Sequence, residues 1–347
     1  MEEEKYMRRC IQLAQNGLCN AAPNPMVGAV VVCDGKIIGE GYHVRCGEAH
    51  AEVNAIRSVK EPSLLKRSTI YVSLEPCSHY GKTPPCADLI IEKQIPRIVI
   101  GCQDPFAKVA GRGIQKLKDA GREVTVGVLE QECRNLIRRF ITFHTLHRPY
   151  ITLKWAESAD RYIDNFREGG KPVILSNPLT SMLVHKKRAE HSAIMVGTRT
   201  AELDNPGLTV RNWQGRSPVR IVIDRKQKLS PELHLFDGNV RTLVFTEKPH
   251  SPQSNIEYIP IDFRQNILPQ IMEYLYAQGL QSLLVEGGSY LLQSFINAEL
   301  WDEIFVEESP LKLFSGVKAP EIGNKIPYVN EQYFGRNFRH YIATRLG

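Results

Sequence analysis

His50-Ala-Glu52 and Leu74-Glu-Pro-Cys-Ser-His-Tyr-Gly-Lys-Thr-Pro-Pro-Cys86 carry the strongest chemistry in the chain. One imidazole, His50, and two thiolates, Cys77 and Cys86, form a three-ligand set suited to one Zn²⁺ per chain, the arrangement of a catalytic rather than a structural zinc. Glu52 is then the natural proton shuttle, taking a proton from the attacking water and returning protons to a departing amine. Residues two apart on a regular helix point to nearly opposite sides, so His50 and Glu52 share a site only at a helix N-terminus. The turn-like Gly47-Glu48 just before them permits that. Each feature alone has an ordinary reading: a satisfied histidine, a glutamate serving the helix dipole, cysteines as small apolar fillers. Together, with Pro76-Cys77 following the buried-strand run Thr69–Leu74, they indicate a zinc-dependent hydrolytic deamination site.

Outward from this stretch, the first part of the chain alternates helix and strand signals. Helical spacing of Met7, Cys10, Ile11 and Ala14 predicts a helix over 4–17, and Val27–Cys33 is a β-rich run closed by the hairpin signal Asp34-Gly35. A helix is expected over 49–59, a strand over 69–74, a short helix over 85–93 and a strand over 97–102. A helix over 113–120, a strand over 123–129 and a helix over 131–143 complete this part. Such alternation implies an α/β fold, a sheet covered by helices and parallel in its later half. His144-Thr-Leu-His-Arg-Pro149 breaks the pattern, and a fresh strand starts at Tyr150, dividing the chain into domains 1–146 and 147–347. The second part repeats the alternation, with helices near 179–188, 267–278 and 289–297 and strands at 150–155, 193–197, 219–224, 242–246, 282–286 and 303–307.

Composition limits the function classes. A chain of 347 residues exceeds what one core usually organises, and 42% hydrophobic with 24% charged residues is ordinary globular composition. Acidic residues stand at the start where a signal peptide needs a basic region, and no apolar run is long enough for a membrane span. A cytoplasmic protein without membrane partners is expected. The net charge of +6 is spread without a block of like charges, which suits small anionic ligands better than nucleic acid. Most of the eight cysteines are scattered singly through apolar segments, so disulfides are not expected.

Eight residues separate Cys77 from Cys86 where the generic zinc-deaminase signature has two. That longer connection resembles the deaminase domain of the bifunctional riboflavin-biosynthesis family. Pro23-Asn-Pro-Met-Val-Gly-Ala-Val30, Gly39-Glu-Gly-Tyr-His43, Asp104-Pro105 and Val109-Ala-Gly-Arg-Gly113 extend the likeness over nearly the whole first part. The resemblance implies a cytidine-deaminase-like α/β/α domain acting on a diaminopyrimidinone ribosylamino 5′-phosphate. It places Asn24 against the substrate and sets His79 and Lys82 beside it as further donors.

No Gly-x-Gly-x-x-Gly follows a strand, so a Rossmann dinucleotide site is not supported. The relevant signals are Val285-Glu-Gly-Gly-Ser289, where backbone amides can approach a phosphate, and Thr200-Ala-Glu-Leu-Asp-Asn-Pro-Gly-Leu-Thr-Val-Arg211. With Lys154-Trp-Ala156 and Pro218-Val-Arg-Ile-Val-Ile-Asp224 they resemble the reductase domain of the same family. That domain is dihydrofolate-reductase-like, and the family reduces the ribosyl group to ribityl with NADPH. The resemblance implies substrate contacts at Arg188, Leu208, Arg211 and Glu286, and cofactor contacts at Ala156, Thr200, Asp204 and Gly288. The chain departs from the family pattern at Ser158-Ala-Asp-Arg161, where Ser-Leu-Asp-Gly is usual, at Ile174-Leu-Ser-Asn177 for Trp-Ile-Thr-Ser, and at Asp204-Asn205 for paired aspartates. A homo-oligomer, dimer or tetramer, is expected. Two competing readings remain: a deaminase with a non-catalytic ligand-binding or dimerisation second domain, and a nucleic-acid base deaminase, which the 8% aromatic content disfavours.

Overall fold

A computed structural model describes residues 2–78, 80, 84–105, 111–167, 169–251, 254–323 and 326–343. The chain divides into two compact units, Met1–His147 and Arg148–Gly347.

In the first unit, α1 (Glu2–Gln15) precedes a hairpin of β1 (Gly28–Cys33) and β2 (Lys36–Tyr42). Asp34 and Gly35 both adopt positive φ, the two-residue turn that their sequence favours. Then follow α2 (Ala51–Arg57), β3 (Thr69–Leu74), α3 (Cys86–Glu92), β4 (Arg97–Cys102), α4 (Arg112–Asp119), β5 (Glu123–Val126), α5 (Glu130–Leu136) and α6 (Arg138–Leu146). The sheet order is β2-β1-β3-β4-β5, antiparallel at β1 and parallel from β3 to β5. β1 is buried at every position because both sheet faces are covered, so it reads as a continuous apolar run. Ala29, Val31, Ile70 and Ile98 pack with Ala55 of α2, Ile90 of α3 and Leu117 of α4. On the opposite face the Tyr71 ring lies 5.0 Å from that of Tyr6 in α1.

The second unit opens on Arg148, whose guanidinium forms a two-pronged bond to the buried Asp302 at 2.6 and 2.8 Å. Its elements are β6 (Tyr150–Glu157), β7 (Tyr162–Asp164), α7 (Pro178–Ala189), β8 (Ala193–Val196), α8 (Thr198–Asp204), β9 (Val219–Ile223), β10 (Thr242–Thr246) and β11 (Ile256–Pro260). Next come α9 (Ile267–Ala277), β12 (Ser282–Glu286), α10 (Ser289–Asn297), β13 (Glu303–Glu308), β14 (Val317–Lys318), β15 (Tyr328–Tyr333) and β16 (Arg336–Ile342). The large sheet runs β11-β10-β9-β8-β12-β6-β13-β16-β15, with only β16 and β15 joined antiparallel. α9 buries Leu268, Ile271, Met272 and Leu275, an apolar stripe at helical spacing, against Ile151, Met195 and Phe245 of the sheet. Each such side chain contributes roughly 1.5–3 kcal/mol of burial. Asn177 caps α7 by accepting from the Thr180 amide at 2.8 Å, while Thr180 Oγ1 accepts from the Asn177 amide at 3.0 Å.

Besides the short elements β7, α8, β11 and β14, for which the sequence carries no expectation, the structure differs from the sequence expectation in three places. The helix expected over 131–143 is two helices, because Ile137 leaves helical geometry (φ −104, ψ 18) with no glycine or proline to announce it. The strand expected over 123–129 stops at Val126, where Gly127 and Leu129 take positive φ and turn the chain. The β15–β16 hairpin was not expected, since β15 is exposed almost throughout and shows no apolar alternation.

Arg161 stands where the family pattern has glycine, and its φ is +68°. It closes a turn in which the Ser158 amide donates to the Tyr162 carbonyl at 2.8 Å and the Arg161 amide to the Ser158 carbonyl at 2.9 Å. A left-handed residue costs about 1–2 kcal/mol and glycine loses about 0.5–1 kcal/mol in chain entropy, so the net favours glycine. Arg161→Gly should stabilise the second unit by up to about 1 kcal/mol, read as a higher unfolding midpoint; a lower midpoint would contradict the strain assignment.

Candidate active sites

His50 is the N-cap residue of α2, in extended conformation (φ −71, ψ 166), and Glu52 lies in the first turn. The geometry that the i, i+2 spacing requires is met because His50 has not yet entered the helix. Cys77 follows the end of β3, and Cys86 is the first residue of α3. His50 Nδ1 lies 3.6 Å from Cys77 Sγ and 3.4 Å from Cys86 Sγ, and the three ligand atoms lie within 4.8 Å of one another. Tetrahedral zinc with Zn–S near 2.3 Å and Zn–N near 2.0–2.1 Å spaces N and S by about 3.6 Å, so these residues fit the ion.

The electrostatics suit thiolate ligands. Cys77 is held well below the usual thiol range by hydrogen bonding with the Cys86 sulfur, with His50 and with the Cys86 amide, which donates to Cys77 Sγ at 3.3 Å. That same interaction, together with burial, pushes the Cys86 thiol up. Glu52 is almost fully buried, and its carboxyl is pushed up to about 7 by burial and then by the charge on Cys77. A carboxyl poised there can both accept and return a proton near neutral pH.

Asn24 is half-buried, and its side-chain amide is oriented by a residue that sequence reasoning left without a role. His43 Nδ1 lies 3.1 Å from the Ala49 carbonyl, which can only accept, so this nitrogen carries the proton. His43 Nε2 then accepts from Asn24 Nδ2 at 3.1 Å, which turns Asn24 Oδ1 toward a ligand. Burial holds His43 below the ordinary histidine range, in the neutral form this relay needs. Its ring meets that of His50 edge-on at 5.4 Å. Glu75 was also missed. Its buried carboxylate accepts from the amides of Asp104, Gly111, Gly113 and Ile114, tying both ends of the loop before α4 to the chain just ahead of Cys77. A Cβ on Gly113 would stand 2.0 Å from the Pro76 carbonyl, so only glycine permits this approach. His79, Lys82, Val109 and Ala110 lie outside the described residues.

In the second unit a cavity of about 1250 Å³ runs along the C-terminal strand ends. Ala156, Thr200, Asp204, Glu286 and Gly288 all line it, although they come from β6, α8 and the β12–α10 turn. Gly287 and Gly288 adopt φ +67° and +66° and press on Thr200; a Cβ on Gly287 would come within 2.9 Å of its Cγ2. Backbone amides there can approach a phosphate at the start of α10. Asp204 accepts from Arg167, which also donates to Asp164 at 2.6 Å. Ile174 is exposed on the cavity wall.

Arg188, Leu208 and Arg211 are placed differently. Arg188 grips Glu286 through two bonds, 3.2 and 2.7 Å, both side chains being largely buried. Burial opposes the Glu286 charge, but Arg188, with Lys154 and His185, holds its carboxyl below the ordinary range. The Leu208 side chain is buried with Val196 and Val222, so its contact with a ligand is limited to main chain, which is bent at φ +52°. Arg211 is exposed, with its guanidinium bonded to Thr209 Oγ1 at 3.1 Å, leaving donors for an anion.

Residues 1–102 match the family model "cytidine and deoxycytidylate deaminase zinc-binding region", and residues 149–314 match "RibD C-terminal domain". The chain is 38% identical over 329 residues to the riboflavin biosynthesis protein RibD of Bacillus amyloliquefaciens, covering 92% of this chain and 87% of that one. It is 36% identical over 326 residues to RibD of Aquifex aeolicus, covering 92% and 90%. Among solved structures, a diaminohydroxyphosphoribosylaminopyrimidine deaminase/5-amino-6-(5-phosphoribosylamino)uracil reductase from Thermotoga maritima superposes with a TM-score of 0.89 at 38% identity, covering 98% of both chains. Acinetobacter baumannii RibD superposes with a TM-score of 0.87 at 29% identity, covering 99% of both.

Proposed function

The chain belongs to the RibD family of riboflavin biosynthesis proteins, and from that premise we propose how its residues divide the two reactions. It is a bifunctional enzyme with a zinc-binding deaminase domain and a reductase domain of the NADPH-using type. The proposed domains are 1–146 for deamination and 147–347 for reduction. The proposed substrate is 2,5-diamino-6-ribosylamino-4(3H)-pyrimidinone 5′-phosphate. Supporting this is the placement of His50, Cys77 and Cys86 around one point with the Glu52 carboxyl beside them.

His50, Cys77 and Cys86 would hold zinc, whose Lewis acidity makes water a nucleophile near neutral pH. Glu52 takes a proton from that water as its oxygen bonds to the amino-bearing ring carbon. The same carboxyl passes that proton to the adjacent ring nitrogen, then carries the second proton from the new hydroxyl to the amine, which leaves as ammonia while the carbon keeps the oxygen as a carbonyl. Asn24, turned by His43, accepts from the ring and orients it. In the second unit Glu286 and Arg188 engage the ribose end and Arg211 its phosphate, with the Leu208 main chain alongside. Ala156, Thr200, Asp204 and Gly288 seat NADPH, which supplies the hydride. The enzyme is proposed to act in the cytoplasm, where thiolate ligands stay reduced, as a homo-oligomer of two or four chains.

The test is incubation of the purified protein with the diaminopyrimidinone ribose phosphate, with and without NADPH, followed by mass. Without NADPH the product should show an amino group replaced by oxygen; with it, the further gain of a hydride and a proton. Deamination with no NADPH consumption would leave a deaminase with a non-catalytic second unit. Cys77→Ala protein should be purified without stoichiometric zinc, and undiminished zinc in it would remove Cys77 from the ligand set.

A further inference from the structure

NADPH and NADH differ only by a phosphate on the adenosine ribose, and the charges of the large cavity bear on which of them it takes. Among the described residues its charged lining is Lys154, Asp164, Arg167, Arg199, Asp204 and Glu286. Arg167 is committed, donating to Asp164, to Asp204 and to the Gly170 carbonyl at 3.0 Å. Glu286 is held by Arg188, and Lys154 stands opposite it in the β12–β6 register. Arg199 is different. It is exposed to the cavity and gives one guanidinium N–H to the Arg167 carbonyl at 3.3 Å. Among the described residues no carboxylate lies within ion-pair distance of it, so it is the lining arginine whose donors remain for an anion.

Its position selects the part of the dinucleotide it meets. Ala156 and Glu286, at the ends of β6 and β12, mark the end of the cavity where the ribose must receive a hydride. Thr198 Oγ1 donates to the carbonyl of Ile223, the last residue of β9, and so anchors the segment carrying Arg199 beside β9. β8 lies between β12 and β9. With strands about 4.8 Å apart, the two ends are separated by on the order of 10 Å across the strand ends. Ile223, Phe263 and Gln265 line the same far end. A dinucleotide whose nicotinamide faces Glu286 therefore carries its adenosine toward Arg199, and a planar fork of charged donors suits a phosphate dianion.

We infer that Arg199 binds the adenosine 2′-phosphate and sets the preference of the second unit for NADPH over NADH. The inference rests on the proposed reductase function, and binding rather than turnover tests it. Dissociation constants for NADPH, NADH and adenosine 2′,5′-bisphosphate are to be measured by calorimetry on the full-length protein and on Arg199→Ala and Arg199→Lys. Because the side chain is exposed, both variants should unfold at the wild-type temperature. Arg199→Ala should lose about tenfold or more of its affinity for NADPH and for the bisphosphate, with NADH binding unchanged. Arg199→Lys should keep part of the difference, since it retains charge without the fork. An Arg199→Ala protein with the wild-type NADPH-to-NADH ratio, or with equal losses for both, overturns the assignment. Wild-type protein that binds neither dinucleotide would bring down the reductase reading itself, and this assignment with it.

Discussion

Glu52→Gln protein should purify with zinc and yet turn over the deaminase substrate about 10²–10⁴-fold more slowly, the contribution typical of a positioned general acid–base. Glutamine keeps the size of the side chain and leaves His50, Cys77 and Cys86 untouched. What disappears is a buried carboxyl that burial has moved to about 7, close to the pH at which it must accept and return a proton. The reductase residues lie in the other unit, so the variant given already deaminated substrate should oxidise NADPH at nearly the wild-type rate. Full deaminase activity in zinc-replete Glu52→Gln would rule out this carboxyl as the shuttle.

Arg188→Met should destabilise the second unit by about 3–5 kcal/mol, the usual consequence of leaving one member of a buried ion pair uncompensated. The side chains of Arg188 and Glu286 are each only 12% exposed, so the pair is largely shielded from water. The pH dependence follows from the direction of the Glu286 shift. In the wild type its carboxyl sits below the ordinary range, so the pair stabilises the fold above the unfolded carboxylate pKa, and this is lost as pH falls through the folded value. Without Arg188, burial dominates and raises the carboxyl, although Lys154 and His185 still oppose it. The variant is then least stable at neutral pH and gains as Glu286 is protonated, so the gap to wild type should narrow on mild acidification. Denaturant unfolding at two pH values measures this. A gap that stays constant, or widens toward acid, would show that Glu286 is not the group left stranded.

The sequence by itself determined the α/β alternation, the metal chemistry and the helix-terminus position of His50 and Glu52. Those properties are local: an i, i+2 pair can share a site only where a helix begins, and β1 and β3 announce themselves as apolar runs because both their faces are buried. Tertiary structure decided which residues meet. Arg188 and Glu286 are far apart along the chain, and nothing near either one reveals that they pair with each other. The same holds for His43 turning Asn24 and for Glu75 gathering four amides. A hydrogen-bond partner brought in by chain crossing leaves no periodicity behind. Arg161 in its left-handed turn, and Arg199 facing the large cavity, likewise look like ordinary surface arginines until backbone angles and the tertiary surroundings are known.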